Sequence, residues 1–180
     1  MKKTIAVLAA AVGLVSGAWA RTVYELSTDS KYLVSRPLAD GDEITGTLSD
    51  KVNIRIAAGA TVTIRNVTIQ CTADEAYDTK NKLDWAGLTC LGDATIILEG
   101  ANTVCGFYID NPAIFVPETC TLTIKGSGSL VATGGAFAAG IGSGADSSSY
   151  SVCLGVTISG GTKVTSPAKC VGNATLYARW

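Results

Sequence analysis

One arrangement of three short strands recurs four times in this chain, always in the same internal order, and few folds accommodate that. The fullest copy is CTLTIKGSGSLVATGGAFAAGIGSG at 120–144. Its first strand has counterparts in ATVTIRN (60–66), ATIILEG (94–100) and GVTISGG (155–161). Its second has counterparts in VTIQC (67–71), NTVCG (102–106) and TKVTS (162–166). Its third has counterparts in AGLTCLG (86–92), PAIFVPE (112–118) and, weakly, AKCVGN (168–173). Strands this short, each closed by glycine, do not make a hairpin sheet easily. They suit one coil of a solenoid, where each strand pairs with its equivalent one coil away. The copies start at 60, 94, 120 and 155, an uneven period that fits insertions in the turns. The expected fold is therefore all-β: a single-stranded parallel β-helix of about four short coils, spanning 44–173. Residues 21–43 read as an N-terminal cap with one or two short strands (Thr22–Leu26, Tyr32–Val34), and 174–180 as a terminal strand or cap.

Residues 1–20 read as a secretory signal peptide. Lys2 and Lys3 precede an apolar stretch from Ile5 to Val15, and Ala18-Trp19-Ala20 is an A-x-A cleavage site before Arg21. The apolar run is short for a membrane anchor and no second span follows, so no membrane insertion is expected after cleavage. A secreted or cell-surface location follows. The net charge is −1, and it becomes more negative once Lys2 and Lys3 are lost, which argues against a nucleic-acid partner. The remainder is rich in Thr, Gly, Val, Ile and Ala, a β-rich composition. No window after residue 20 shows a convincing helical stripe.

The six cysteines, at 71, 90, 105, 120, 153 and 170, are an even number in a chain read as exported, which favours disulfides. Cys71 lies five residues after Asn66 and Cys105 five after Gly100, so the copies place them one above the other. Cys120 and Cys153 both lead into first strands and form a second candidate pair. Cys90 and Cys170 are left unassigned. With no CxxC and no histidine, a thiolate metal site is disfavoured.

Residues 72–85, TADEAYDTKNKLDW, are the most polar stretch and lack strand alternation. They read as a loop at a corner of the fold, where insertions do not disturb the core and binding groups often sit. Tyr77, Trp85, Asp78 and Asp84 are the candidate ligand-binding residues there: aromatic rings stack on sugar faces, and carboxylates accept from hydroxyls. The plainer readings are a solvated loop, with Trp85 packed down as its anchor. Asp74 and Glu75, with Asp146 on the GIGSGAD turn, are the candidate ligands for Ca²⁺, a cation that takes six to eight oxygens.

Catalytic roles are hard to fill. Asp110 and Asp146 stand alone on their turns, and Arg55, Arg65 and Lys125 lie outward on strands without strand carboxylates beside them. The serines at 127, 129 and 147–149 have no histidine to activate them. Outward threonines (Thr61, Thr63, Thr68, Thr121, Thr123) raise an ice-binding reading, though threonine suits outward strand positions in any case.

The runs TGTLSDKVNIRIAAGATVTIRNVTIQC, LGDATIILEGANTV, LTIKGSGSLVATGG and AAGIGSG resemble those of exported bacterial β-helix surface proteins with GIGSG-type repeats. The likeness covers roughly 44–166. LYARW at 176–180 is similar to the end of an internalin-type B repeat. The resemblance implies a right-handed parallel β-helix and, for function, noncatalytic binding of a polysaccharide or cell-surface glycan, or adhesion, with calcium as a candidate cofactor. A structural stalk or a fragment of a surface protein with no ligand is the alternative, and a polysaccharide lyase the third reading.

Overall fold

The computed structural model describes residues 21–70, 85–107, 110–135, 138–143 and 155–165. The chain enters through β1 (Val23–Glu25) and α1 (Leu26–Leu33), followed by β2 (Glu43–Thr47), β3 (Ile54–Ile56) and β4 (Thr61–Ile69). Next come β5 (Leu88–Cys90), β6 (Ala94–Glu99), β7 (Ala101–Cys105) and β8 (Ile114–Phe115). The last elements are β9 (Leu122–Gly126), β10 (Ser129–Thr133), β11 (Ile141–Gly142), β12 (Val156–Ile158) and β13 (Lys163–Thr165).

Every pairing among these strands is parallel. A nine-stranded sheet follows the path β12-β9-β6-β4-β7-β10-β13, with β2 and then β1 branching from β4. A four-stranded sheet, β11-β8-β5-β3, stands apart from it.

The expected single-stranded right-handed β-helix is thereby corrected. The fold is a parallel α/β arrangement in which the large sheet curls nearly closed, like a barrel, and a helix is added. Much of the difference lies in β4. The repeat divides ATVTIRN from VTIQC, as two strands on two faces. In the structure they are one nine-residue strand that pairs with β6 through Thr61–Arg65 and with β7 through Thr68–Ile69. Asn66, in the left-handed region at φ 51, bends the strand between these two halves. Asparagine tolerates that conformation better than other side chains with a Cβ.

The second correction is α1, where a strand over Tyr32–Val34 is expected. The Glu25 side chain accepts from Ser27 N and Ser27 Oγ, while Asp29 Oδ2 accepts from Glu25 N at 3.0 Å. This reciprocal arrangement satisfies amides that a helix start leaves open. Leu26, Ser30 and Leu33, spaced by four and three residues, form the buried stripe. Ser30 Oγ donates to Asp50 Oδ2 at 2.7 Å, which fixes the helix to the loop after β2.

The core is built by alternation. Val62, Ile64, Ile96, Leu98, Leu122 and Ile124 point inward from the large sheet and meet Ile54, Ile56, Leu88 and Ile114 from the small one. Each such side chain contributes about 1.5–3 kcal/mol by leaving water. Corner residues tie one rung to the next. Asp40 Oδ1 accepts from Thr61 N and Asp93 Oδ1 accepts from Thr121 N, at 2.8 and 2.7 Å.

Candidate functional site

Alternation leaves the outward positions of the curled sheet in columns. On β4, β6, β9 and β12 the register aligns Thr61 with Thr95, Thr123 and Thr157. The neighbouring column reads Thr63, Ile97, Lys125. Around the Asn66 bend, a second column aligns Thr47, Thr68, Thr103, Val131 and Thr165. Strand spacing sets the step along each column at about 4.8 Å. Threonine is favoured here because its β-branched body packs on the pleat while its hydroxyl faces solvent. The outcome is a polar surface with hydroxyls at a regular pitch.

One end of this surface carries an ion cluster. Arg65 Nη2 meets Glu99 Oε2 at 2.7 Å and donates to Glu43 Oε2 at 3.3 Å, while Arg65 Nε stands 3.2 Å from Glu43 Oε1. Arg21 also pairs with Glu43, whose side chain is only 3% exposed. The expectation that Arg65 has no strand carboxylate beside it is therefore wrong. The signal was present, since Arg65 and Glu99 hold the same place in ATVTIRN and ATIILEG. Arg55 instead donates to Val34 O at 3.0 Å.

Trp85 is the one described member of the expected loop site. Its ring lies 6.0 Å from that of Phe107, tilted by 54°, and it packs against the core, half-buried. Its carbonyl accepts from Phe107 N at 3.1 Å. The ring is thus packed down on the core. Tyr77, Asp78 and Asp84, and the calcium candidates Asp74, Glu75 and Asp146, lie outside the described residues. Among the described residues, no group of three or more His, Cys, Asp or Glu side chains is placed to hold a metal.

The cysteines require a correction. No disulfide is found between described residues, and Cys90 and Cys120 are free thiols. The expected Cys120–Cys153 bridge therefore does not describe Cys120. In place of that bridge, Cys120 closes the turn before β9, its N donating to Pro117 O at 2.9 Å, and packs half-buried against the core. Cys105 is not among the free thiols, and its expected partner Cys71 lies outside the described residues, as do Cys153 and Cys170. Burial pushes the Cys90 thiol up to about 12, with a smaller contribution from charge on Cys120.

No helix among the described residues is long and apolar enough to cross a membrane. Comparison with protein-family models, with curated proteins and with solved structures found no match.

Proposed function

We propose that this chain is a noncatalytic glycan-binding or adhesive module, acting outside the cytoplasm, whose contact surface is the outward threonine face of β4, β6, β9 and β12. The observation that carries this reading is the in-register column Thr61–Thr95–Thr123–Thr157. A regular line of hydroxyls on a parallel sheet suits an extended polysaccharide, because donors and acceptors recur along both partners. Lys125, exposed beside the column, adds a cation for an acidic sugar. The ion pairs that hold Arg65 favour a structural role for it over that of a lyase base.

A ligand-free structural module is the second reading, and the packing of Trp85 against Phe107 favours it. That contact occupies an aromatic ring that a sugar site in the 72–85 loop would use. The test is a glycan array probed with the chain from Arg21 onward, with calcium and with a chelator. Thr95→Val/Thr123→Val and Trp85→Ala are run beside it. Binding that falls at least tenfold in the threonine variant supports the proposed face. Binding lost only in Trp85→Ala moves the site to the loop. No binding by a folded sample favours the structural module.

A further inference from the structure

We propose that α1 is a guard on the first rung, and that without it the chain stacks head to tail on a second copy of itself. β1 is a terminal strand of the large sheet: among the described residues it pairs with β2 alone. Glu43 N donates to Thr22 O at 2.8 Å, so Thr22 and Tyr24 turn their backbone groups toward β2, and Val23 and Glu25 turn theirs away. An outward row of that kind is where a further strand adds. The helix blunts it. The Glu25 amide donates to Asp29 Oδ2 at 3.0 Å, and the chain leaves the strand for α1 at Leu26.

In this first rung a helix stands where later rungs run on as strands. α1 packs over β1, β2 and β3, and Leu26 and Leu33 are fully buried against a core that includes Ile44 and Ile54. The rung resumes its pairing at Leu38, which bridges to Ile56. Three ties hold the helix there: its capped start, Ser30 Oγ donating to Asp50 Oδ2 at 2.7 Å, and, just past its end, Arg55 Nη2 donating to Val34 O at 3.0 Å.

What the helix covers is the kind of surface that rungs use on each other. Ile44 continues in register to Ile64 and Leu98, and Ile54 to Leu88 and Ile114. A rung bared by loss of α1 therefore presents the apolar rows and the parallel ladder that already join rungs inside the molecule. The complementary edge lies at the far end of the same stack. Among the described residues β12 pairs with β9 alone, β13 with β10 alone and β11 with β8 alone. The occupant is thus a second copy, its last rung set on the first rung of the next. Such a contact joins two different surfaces and does not close on itself, so it builds filaments rather than dimers.

The experiment uses the chain expressed from its full sequence and purified folded, with sedimentation velocity to read size and circular dichroism to verify the strands. The unsubstituted chain should stay a monomer. Leu33→Ser loosens α1 from the core, and Asp50→Ala, at an exposed loop residue, removes its middle tie. Each should keep its strand signal and convert to large species as concentration rises, Leu33→Ser the more completely. Val23→Pro is then added to each. It removes an outward amide of β1 at a residue 52% exposed, and it should cut the large species by about tenfold. Aggregation through unfolded chains would ignore that proline. A folded Asp50→Ala chain that stays monomeric overturns the proposal, whether or not Leu33→Ser folds. So does loss of the strand signal in Asp50→Ala, because the helix would then support the fold instead of guarding its edge. Assembly that Val23→Pro leaves undiminished, or equal assembly by the unsubstituted chain, overturns it as well.

Discussion

Replacing Asn102 by alanine should cost about 3 kcal/mol of stability, because its side chain bonds backbone on three successive rungs. It is 2% exposed on β7. Its Oδ1 accepts from Val67 N at 2.9 Å, and its Nδ2 donates to Glu99 O and Ser129 O, both at 3.1 Å. Alanine strands the Val67 amide at the Asn66 bend, where β4 changes partner and no ladder bond replaces it. A buried polar group left unpaired costs about 1–3 kcal/mol. One such donor, together with two carbonyls that each retain part of their bonding, gives the total of about 3 kcal/mol. Urea unfolding followed by circular dichroism reads the difference, with the slope unchanged if only the folded state is affected. Thermal unfolding should drop by roughly 6–12 °C, at about 2–4 °C per kcal/mol for a chain of this size. Asn102→Asp keeps the acceptor for Val67 N but removes the amide donor and buries a charge. It should be no better at neutral pH and should recover in part on acidification, as the carboxyl protonates and regains a donor. A loss below about 1 kcal/mol in Asn102→Ala would refute the idea that this side chain holds the bend.

Gly100 stands at φ 65, and a Cβ there would run into the Asn66 side-chain amide, so Gly100→Ala should cost about 2 kcal/mol or more, measurable by chemical denaturation. Adding Asn66→Gly should recover part of that loss by removing the clash. Arg65→Ala leaves the buried Glu43 with Arg21 alone, and a loss of about 1–2 kcal/mol is expected from the same measurement, with Glu43→Gln restoring some of it. Cys90 gives a pH dependence with a definite sign. Its thiol ionises near 9.0 when unfolded and at about 12 when folded, so the unfolded state loses its proton first as pH rises. The stability it lends is complete below pH 9 and falls between about 9 and 12, by up to about 1.4 kcal/mol per pH unit. Cys90→Ala should flatten that decline relative to the parent chain in alkaline unfolding curves.

The parallel stacking was legible because inward residues recur as Val62-x-Ile64, Ile96-x-Leu98 and Leu122-x-Ile124. Register was less so. The copies at 120 and 155 put Val156 opposite Thr121, whereas the structure pairs Val156 with Leu122. A one-residue slip exchanges the faces of a strand, and three-residue strands carry too little pattern to expose it. The curl of the sheet was hidden for a different reason. The strand β4 changes partner at Asn66, which adopts φ 51 in mid-strand, and asparagine at that place reads as the end of a strand. The helix is hard to read because its stripe is two leucines and a serine, and Ser30 finds its hydrogen-bond partner in Asp50, twenty residues away. Of the candidate site, Trp85 falls among the described residues, and its partner Phe107 is not marked by any spacing in the sequence. The threonine column was glimpsed in Thr61 and Thr123, and its other two members needed the register.

The ladders join residues far apart in the chain: Asn102 reaches back 35 residues to Val67, and Thr121 reaches 28 to Asp93. No rung therefore holds together until the next has been threaded against it, and each closure costs loop entropy before any bond repays it. Such a chain folds slowly, in milliseconds to seconds, and leaves unpaired strand edges open while it does so. The rung tied down by α1 is also the first to emerge during synthesis. A growing chain can thus lay each new rung on an edge already in place, a templated order that refolding from denaturant does not supply.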